Sequence, residues 1–544
     1  MSRTQVAVLL YAVLILSVIC VAQSTSQKQG APFNSSAQSS GAAVSCESLS
    51  SLSLPNTTVT LAQSIPRGTF VLPGVAAAEQ PKSSLEAMPT FCRVAATLKP
   101  TNDSNIKIEV WLPTEKWNGK FHAVGNGGWA GQISTRAMIV PLTQGYATAS
   151  TDTGHEGTGA SFALGHPEKL VDYSYRAVHE MTVSAKLIIA AYHGKAVGLS
   201  YWSGCSLGGQ QGLKAAQLYP ADFDGIIAGA PTYNRTHLHA WQMYMGQLAL
   251  SDDKARSIPP SKYSFLHTAV LAACDAADGV KDGLLSDPRR CKFDPALLRC
   301  TAGDSEQCLT DPQVQMAKQM YAPTVNPRTG RIIYPGVAAG SELAWGPLVG
   351  GPQPFPLATD LFKYVVHQNP NWDWRNFNLS HDTAVADERY KATLNAENAD
   401  LRAFRARGGK LLIWHGWADS SVPPQNTIEY YNSVMRVVGP KAGDFIKLFM
   451  VPGMGHCRGG TGPNQFNALA ALERWREAGI APNQLTASRV TDNQVDMTRP
   501  LCPYPQVAQY KGVGATSDAA NFACKSPMTV HRPGRSPVSV VSRR

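Results

Sequence analysis

The sequence predicts an α/β fold, a mostly parallel sheet with helices on both faces. Three observations carry this reading. Short apolar runs suited to buried strands alternate with stretches of helical spacing. A glycine-flanked serine directly follows one of those runs. The same rhythm resumes after a long interruption between residues 234 and 404.

In chain order, residues 54–110 contain alternating patterns such as Lys107-Ile108-Glu109-Val110-Trp111, expected of strands at a sheet edge. Lys120-Phe121-His122-Ala123-Val124 reads as a strand that empties into Gly125-Asn126-Gly127-Gly128-Trp129. Between residues 176 and 192, Ala177, Met181, Ala185, Ile188 and Ile189 recur at helical spacing. Leu199-Ser200-Tyr201-Trp202 is a short strand leading into Gly204-Cys205-Ser206-Leu207-Gly208, and a helix over 210–217 is halted by Tyr219-Pro220. Residues 225–230, 410–414 and 446–450 are three further buried strands. Four cysteines, Asp-Pro and Asn-Pro turns, and Trp372, Trp374 and Phe377 fall in the interruption, which reads as an insertion forming a lid over the strand ends. The organisation expected is therefore a signal segment at 1–22, a flexible lead-in at 23–45, a catalytic domain in two parts at 46–233 and 405–524, the lid at 234–404, and a basic disordered tail at 525–544.

Composition narrows the class. The chain has 544 residues and is 44% hydrophobic, enough for a large core. Arg3, an apolar run from Val6 to Val21, and small residues Cys20 and Ala22 fit a secretory signal. The alternative is a membrane anchor, but the run is short of the roughly 20 residues that span a bilayer, and bulky Ile19 disfavours a lipid on Cys20. The expectation is a secreted chain, extracellular or periplasmic, with no stable membrane anchor. Of eleven cysteines, loss of Cys20 leaves ten: an even number in an exported chain, and no C-x-x-C, so disulfides are expected rather than a zinc ribbon or a thioredoxin motif. The net charge is +10, and Lys525, Arg532, Arg535, Arg543 and Arg544 of the tail supply half of it. No basic patch interleaved with aromatics accompanies the charge, so nucleic acid is not an expected partner.

The chemistry lies in three segments. Gly204-Cys205-Ser206-Leu207-Gly208 has the G-x-S-x-G spacing of an elbow that lifts a nucleophilic serine out of a sheet. A serine hydroxyl needs a base to take its proton and a third group to orient the base. Enzymes of the α/β-hydrolase type supply these in the order Ser, acid, His, each at a strand end. Ser206, Asp419 and His456 follow the strands at 199–202, 410–414 and 446–450 in that order. His415 competes as the base but precedes the acid in the chain. Asp224 competes as the acid, although Asp224-Gly225 is more simply a turn. The oxyanion donors expected are the backbone N–H of Leu207 and that of Gly128, with Gly127 close behind. An ordinary glycine-rich turn at 125–128 is the alternative. Cys205 precedes the serine and Cys457 follows the histidine. If they are bonded, Cα atoms about 4.4–6.8 Å apart tie Ser206 and His456 together.

On these residues the chain resembles the tannase and feruloyl esterase family, which includes the mono(hydroxyethyl) terephthalate hydrolase. Cys205-Ser206, Asp419 and His456-Cys457 match its "CS-D-HC" arrangement, and the likeness runs from about Cys46 to Cys524. The resemblance implies an α/β-hydrolase fold with a large inserted lid. It implies hydrolysis of small aromatic esters, feruloyl or galloyl, carried on plant polyphenol or cell-wall polysaccharide. It also implies the pairs Cys46–Cys92, Cys205–Cys457, Cys274–Cys291, Cys300–Cys308 and Cys502–Cys524. Substrate identity rests on lid residues. Trp241, Tyr244, Trp372 and Trp374 are candidates to stack on a ring, with core packing the plainer assignment. Leu207 offers a substrate carboxylate no anchor, which weighs against a terephthalate half-ester.

Within the insertion, Asp275, Asp278 and Asp282 cluster around Gly279 and Gly283. Calcium takes six to eight oxygens, but Ala277 breaks the EF-hand spacing, and two Asp-Gly turns with solvated side chains are the other reading. The resemblance implies a structural Ca²⁺ in the lid, held by Asp275, Asp278, Asp282 and the carbonyls of Val280 and Leu284. No organic cofactor is expected. A rival of another class is a non-catalytic, disulfide-rich, calcium-binding surface protein. The Ser–Asp–His order speaks against it.

Overall fold

The computed structural model describes residues 43–251 and 254–526. The signal segment, most of the lead-in and all but the start of the basic tail lie outside the described residues.

Nine strands build the main sheet: β1 (Thr57–Ile65), β2 (Phe91–Leu98), β3 (Ile106–Pro113), β4 (Lys120–Val124), β5 (Ala147–Thr151), β6 (Leu199–Cys205), β7 (Gly225–Gly229), β8 (Lys410–Gly416) and β9 (Ile446–Val451). Their order is β1-β2-β3-β5-β4-β6-β7-β8-β9. The strands from β5 to β9 in this order are parallel, and β1 to β3 form an antiparallel meander at one edge. Leu411, Leu412 and Ile413 of β8 are all fully buried. A strand covered on both faces needs such an unbroken apolar run.

Helices cover both faces. On one, α2 (Ala177–His193), α3 (Leu207–Leu218) and α8 (Pro424–Val438) bury Met181, Ile188, Leu213, Ile428 and Val434 against the sheet. On the other, α1 (Thr135–Thr143) and α9 (Ala468–Ala478) bury Met138, Leu142, Leu472 and Trp475. Gly194 ends α2 in the left-handed conformation, φ 64°, which costs glycine little.

β7 and β8 pair directly, with Lys410 opposite Gly225. Everything between them is an insertion between sheet neighbours. It carries α4 (Arg235–Leu250), α5 (Tyr263–Cys274), α6 (Asp311–Tyr321) and α7 (Leu379–Leu394). A capping box of Thr310 and Gln313 opens α6. The insertion has its own core, in which Trp241, Leu266, Met320, Trp345 and Phe362 pack together, and Trp129, Tyr173 and Leu207 of the sheet domain join it. The insertion is thus welded to the strand ends through the residue after the serine.

After α9 the chain forms two hairpins, Leu485–Thr491 with Gln494–Leu501 and Val507–Tyr510 with Phe522–Lys525. Disulfides join Cys46–Cys92, Cys205–Cys457, Cys274–Cys291, Cys300–Cys308 and Cys502–Cys524. Among the described residues, no helix is long and apolar enough to cross a membrane.

Candidate active site

Ser206 sits between the last residue of β6 and the first of α3, with φ 62° and ψ −119°. A side chain held there costs of order 1–3 kcal/mol, paid only where the surroundings over-determine it. Here they do: Ser206 N–H donates to Gly229 O at 2.9 Å, and Ser206 O accepts from Gln210 N–H at 3.0 Å. The flanking glycines are steric requirements. A Cβ on Gly204 would lie 2.4 Å from the Gly208 backbone, and one on Gly208 would lie 3.0 Å from Asn126 O.

Asp419 lies just beyond β8 and is fully buried. Its Oδ1 accepts from the N–H groups of Ser421 and Val422, both at 2.9 Å. Its Oδ2 accepts from His456 Nδ1 at 2.6 Å and His415 Nε2 at 3.0 Å. Burial pushes this carboxyl up, but the two imidazoles outweigh it and hold it well below the carboxylate range. Burial pulls His456 down, and the charge and hydrogen bond of Asp419 raise it above the ordinary value on balance. With Nδ1 donating to Asp419, His456 presents Nε2 as the proton acceptor.

His415 is no rival base. Its Nε2 also contacts Val422 O at 2.9 Å, so that nitrogen is the donor, and Nδ1 accepts from Thr427 Oγ1 at 2.8 Å. Both nitrogens are spent and the side chain is sealed. Its role is to hold Asp419, a part the sequence did not announce. Asp224 instead caps Ser200 N–H and pairs with Arg476.

The disulfide sets Cys205 and Cys457 with Cα atoms 5.9 Å apart. No hydrogen bond joins Ser206 Oγ to His456 among the described contacts. Such bonds are often long without substrate and tighten in the reacting complex. A second Ser–His pair, His122 Nε2 to Ser203 Oγ at 2.8 Å, has no acid behind it. The other nitrogen of His122 is buried without a partner, and burial pushes the ring down to about 4. It cannot serve as a base of comparable strength.

The N–H of Leu207 belongs to the first turn of α3, where donors lack intrahelical acceptors. Gly128 holds φ +57°, and Tyr173 Oη and Arg235 Nη2 fix its carbonyl. At Gly127 a Cβ would meet nothing, so Gly128 is the glycine this loop requires. Of the aromatic candidates, Trp241 is wholly buried and stacks on Tyr334. Trp372 stacks on His367, Trp374 lies under Arg375, and Tyr244 packs against the insertion core. All four have packing roles.

In the aspartate loop, Asp275 accepts from Gly283 N–H at 3.0 Å, Asp278 from Ser286 N–H at 3.2 Å, and Asp282 from Arg499 Nη2 at 2.7 Å. Burial raises the pKa of Asp282, and the like charges of Asp278 and Asp275 add to that while Arg499 opposes. Three carboxylates on glycine turns are the ligand type a hard cation takes, although Asp282 is paired with Arg499. Among the described residues, the ligand atoms that gather within 4.8 Å are those of Cys300, Asp304 and Cys308, and the two cysteines are disulfide-bonded.

Comparison with known proteins places these residues in context. A family model described as "Tannase and feruloyl esterase" matches residues 92–525. An uncharacterized esterase of Xanthomonas campestris is 38% identical over 534 residues, covering 89% of this chain and 91% of its own. An Aspergillus oryzae protein named "Probable feruloyl esterase B-2" is 32% identical, covering 87% and 93%. The crystal structure of feruloyl esterase B from Aspergillus oryzae superposes with a TM-score of 0.82 at 30% identity, covering 88% of this chain and 99% of that one.

Two outcomes follow from this geometry. The Cys205→Ala, Cys457→Ala double variant is expected to keep its fold by circular dichroism but lose about 100-fold in kcat, the scale of a 1 Å misplacement; kcat within twofold of wild type would make the clamp dispensable. His456 must be neutral to accept a proton and its pKa is raised. The acid limb of kcat/KM is therefore expected above about 6.5, with activity lost as pH falls through it. A limb below that value in a pH–rate profile would contradict the Asp419 contact.

Proposed function

The chain belongs to the tannase and feruloyl esterase family and is a carboxylic ester hydrolase; from this premise we propose that it is a secreted enzyme cleaving esters of hydroxylated aromatic acids, feruloyl or galloyl, through an acyl-enzyme on Ser206. The observation that supports the reading most is the 2.6 Å contact of Asp419 with His456, on a turn bonded to the residue before the serine.

Ser206 Oγ attacks the ester carbonyl as His456 Nε2 takes its proton. Asp419 keeps the imidazole in the tautomer that can do this and stabilises the imidazolium. Leu207 and Gly128 N–H groups hold the oxyanion, each worth about 10²–10³ in kcat by analogy with other such donors. His456 then protonates the leaving alcohol. Water, activated by the same imidazole, attacks the acyl-enzyme and releases the aromatic acid.

Leu207 is buried among apolar side chains of the insertion core, which favours hydroxylated rings over a terephthalate half-ester. Five disulfides support export to an oxidising compartment. In the same proposal, Asp275, Asp278, Asp282 and the carbonyls of Val280 and Leu284 hold a structural calcium. Its contribution is to neutralise charge in the insertion, on a loop whose Leu284 packs against Gly453 of the turn that carries His456.

Rates on methyl ferulate, methyl gallate and a terephthalate half-ester test the substrate reading, which expects the half-ester to be slowest. Ser206→Ala is expected to remove turnover and fluorophosphonate labelling while the fold survives. Wild-type rates in that variant would take Ser206 out of the mechanism. For the ion, adding calcium to chelator-treated protein is expected to raise Tm, by about 2.7 kcal/mol of stability at 100-fold excess over Kd. Asp278→Asn should abolish the shift. A Tm indifferent to calcium and chelator in the wild type would remove the ion.

A further inference from the structure

We infer that Arg235 and His239, on the first helix of the insertion, form a donor–acceptor pair that recognises a hydroxyl group on the aromatic ring of the substrate. The inference rests on the ester-hydrolase reading of Ser206 and assigns the residues that choose its substrate.

Helix α4 strides across the candidate site. Just before it, Thr232 N–H reaches Ser206 O at 3.4 Å. Arg235 donates to the carbonyl of Gly128 at 3.3 Å. Gln242, two turns on, donates through Nε2 to Ser421 O at 2.8 Å, and Ser421 N–H in turn binds Asp419. Residues 235, 239 and 242 share one helix face, so His239 lies between the oxyanion loop and the acid loop. Its ring stacks 6.2 Å from that of Trp129, the residue after Gly128.

Two polar atoms on this face are buried without partners: Arg235 Nε and His239 Nε2. Their characters are opposite and can be assigned. Ser421 O is a backbone carbonyl and only accepts, so the amide nitrogen of Gln242 faces it. Oε1 of Gln242 therefore faces His239 Nδ1, 2.7 Å away, and Nδ1 carries the proton. Nε2 is left as a bare acceptor. Burial pushes His239 down to about 3, with Arg235 adding to the shift, so the ring stays neutral at any working pH. Arg235 supplies the donor. Its guanidinium lies over the rings of Trp129 at 4.0 Å and Tyr173 at 5.1 Å, and among the described residues it has no carboxylate partner.

An unpartnered donor and an unpartnered acceptor four residues apart on one helix face match a group that both accepts and donates. A hydroxyl does this. A methoxy group satisfies Arg235 alone. A carboxylate does the same and sets its lone pairs against those of His239. Buried polar groups left unpaired are what make such a site reject the analogue lacking the hydroxyl. The alternative occupant is a fixed water with a purely structural role.

The test is a cycle between side chain and substrate. Wild-type kcat/KM is measured on methyl 4-hydroxycinnamate, methyl 4-methoxycinnamate and methyl cinnamate, and again in His239→Leu. The wild type is expected to prefer the hydroxylated ester by about 100-fold or more. His239→Leu should collapse that preference to within about threefold, losing far more on the hydroxylated ester than on methyl cinnamate. A wild-type preference near one overturns the inference without any variant, so it stands or falls even where His239→Leu does not fold. An equal loss on all three esters also overturns it and assigns the pair to a structural water. Faster turnover of monomethyl terephthalate than of methyl 4-hydroxybenzoate overturns it in favour of a carboxylate on Arg235. A wild type inactive on every ester removes the ester reading itself, a result distinct from these.

Discussion

The site depends on one covalent constraint, the bond between Cys205 and Cys457. Ser206 leaves the sheet at β6 and His456 leaves it at β9. With β7 and β8 between them, these strand ends stand about 14 Å apart at the usual spacing. The turn after β9 must therefore fold back across the end of β8. It does so against the backbone: Trp417 N–H donates to Val451 O and Ala418 N–H to Met454 O, both at 2.9 Å. A Cβ on Gly416 would lie 2.2 Å from Met454 O. Asp419, one turn beyond β8, lies under that crossing and meets His456 from below. The disulfide closes a separation of 252 residues at the point where the crossing would otherwise be free to lift.

The electrostatics follow from the same crowding. A fully buried carboxylate is costly unless every lone pair is used. Asp419 uses its own with two backbone N–H groups and two imidazoles. His415 is the informative partner. It is locked in one tautomer by Val422 O and Thr427, so it donates to Asp419 without competing for the serine proton. The depressed pKa of Asp419 adds stability that is present above the ordinary carboxylate range and lost on acidification through its folded value. The raised pKa of His456 acts in the opposite sense, its contribution fading as pH rises through its own folded value.

Much of the frame was legible because buried parallel strands write themselves as short apolar runs. The strand expected at residues 120–124 is β4 to the residue, and β6, β7, β8 and β9 were placed with their ends one to three residues off. The elbow was legible because its glycines are steric necessities. What escaped the sequence were contacts between remote residues. Arg499 reaches Asp282 across 217 positions, and nothing local to either announces it. The role of His415 was hidden because a histidine four residues before an acid looks the same whether it bonds that acid or not. The hairpins after α9 lack a strong alternation, since Gln494, Val495 and Asp496 are all exposed. Arg235 and His239 had a trace in the sequence, a spacing of four that puts them on one helix face, but their unpaired atoms exist only in three dimensions.

The placement of the insertion explains how one frame can hold fixed chemistry and variable selectivity. Because β7 and β8 pair directly, sheet hydrogen bonds set the spacing of the strand ends that carry Ser206 and Asp419, and the insertion braces the acid loop through Gln242 and Ala344. The parts of the long excursion away from these contacts can change without breaking the strand pairing. Yet only five residues link the end of β7 to the insertion's first helix, too short a link to swing away. It is also held at two points, to Gly128 and to Ser421. The side chains on its inner face are therefore held between the glycine loop and the acid loop, while those farther along the insertion pack a core of their own. On the inference drawn from Arg235 and His239, selectivity concentrates on one short helical face, where polar atoms left unpaired cost stability that a matching ligand restores.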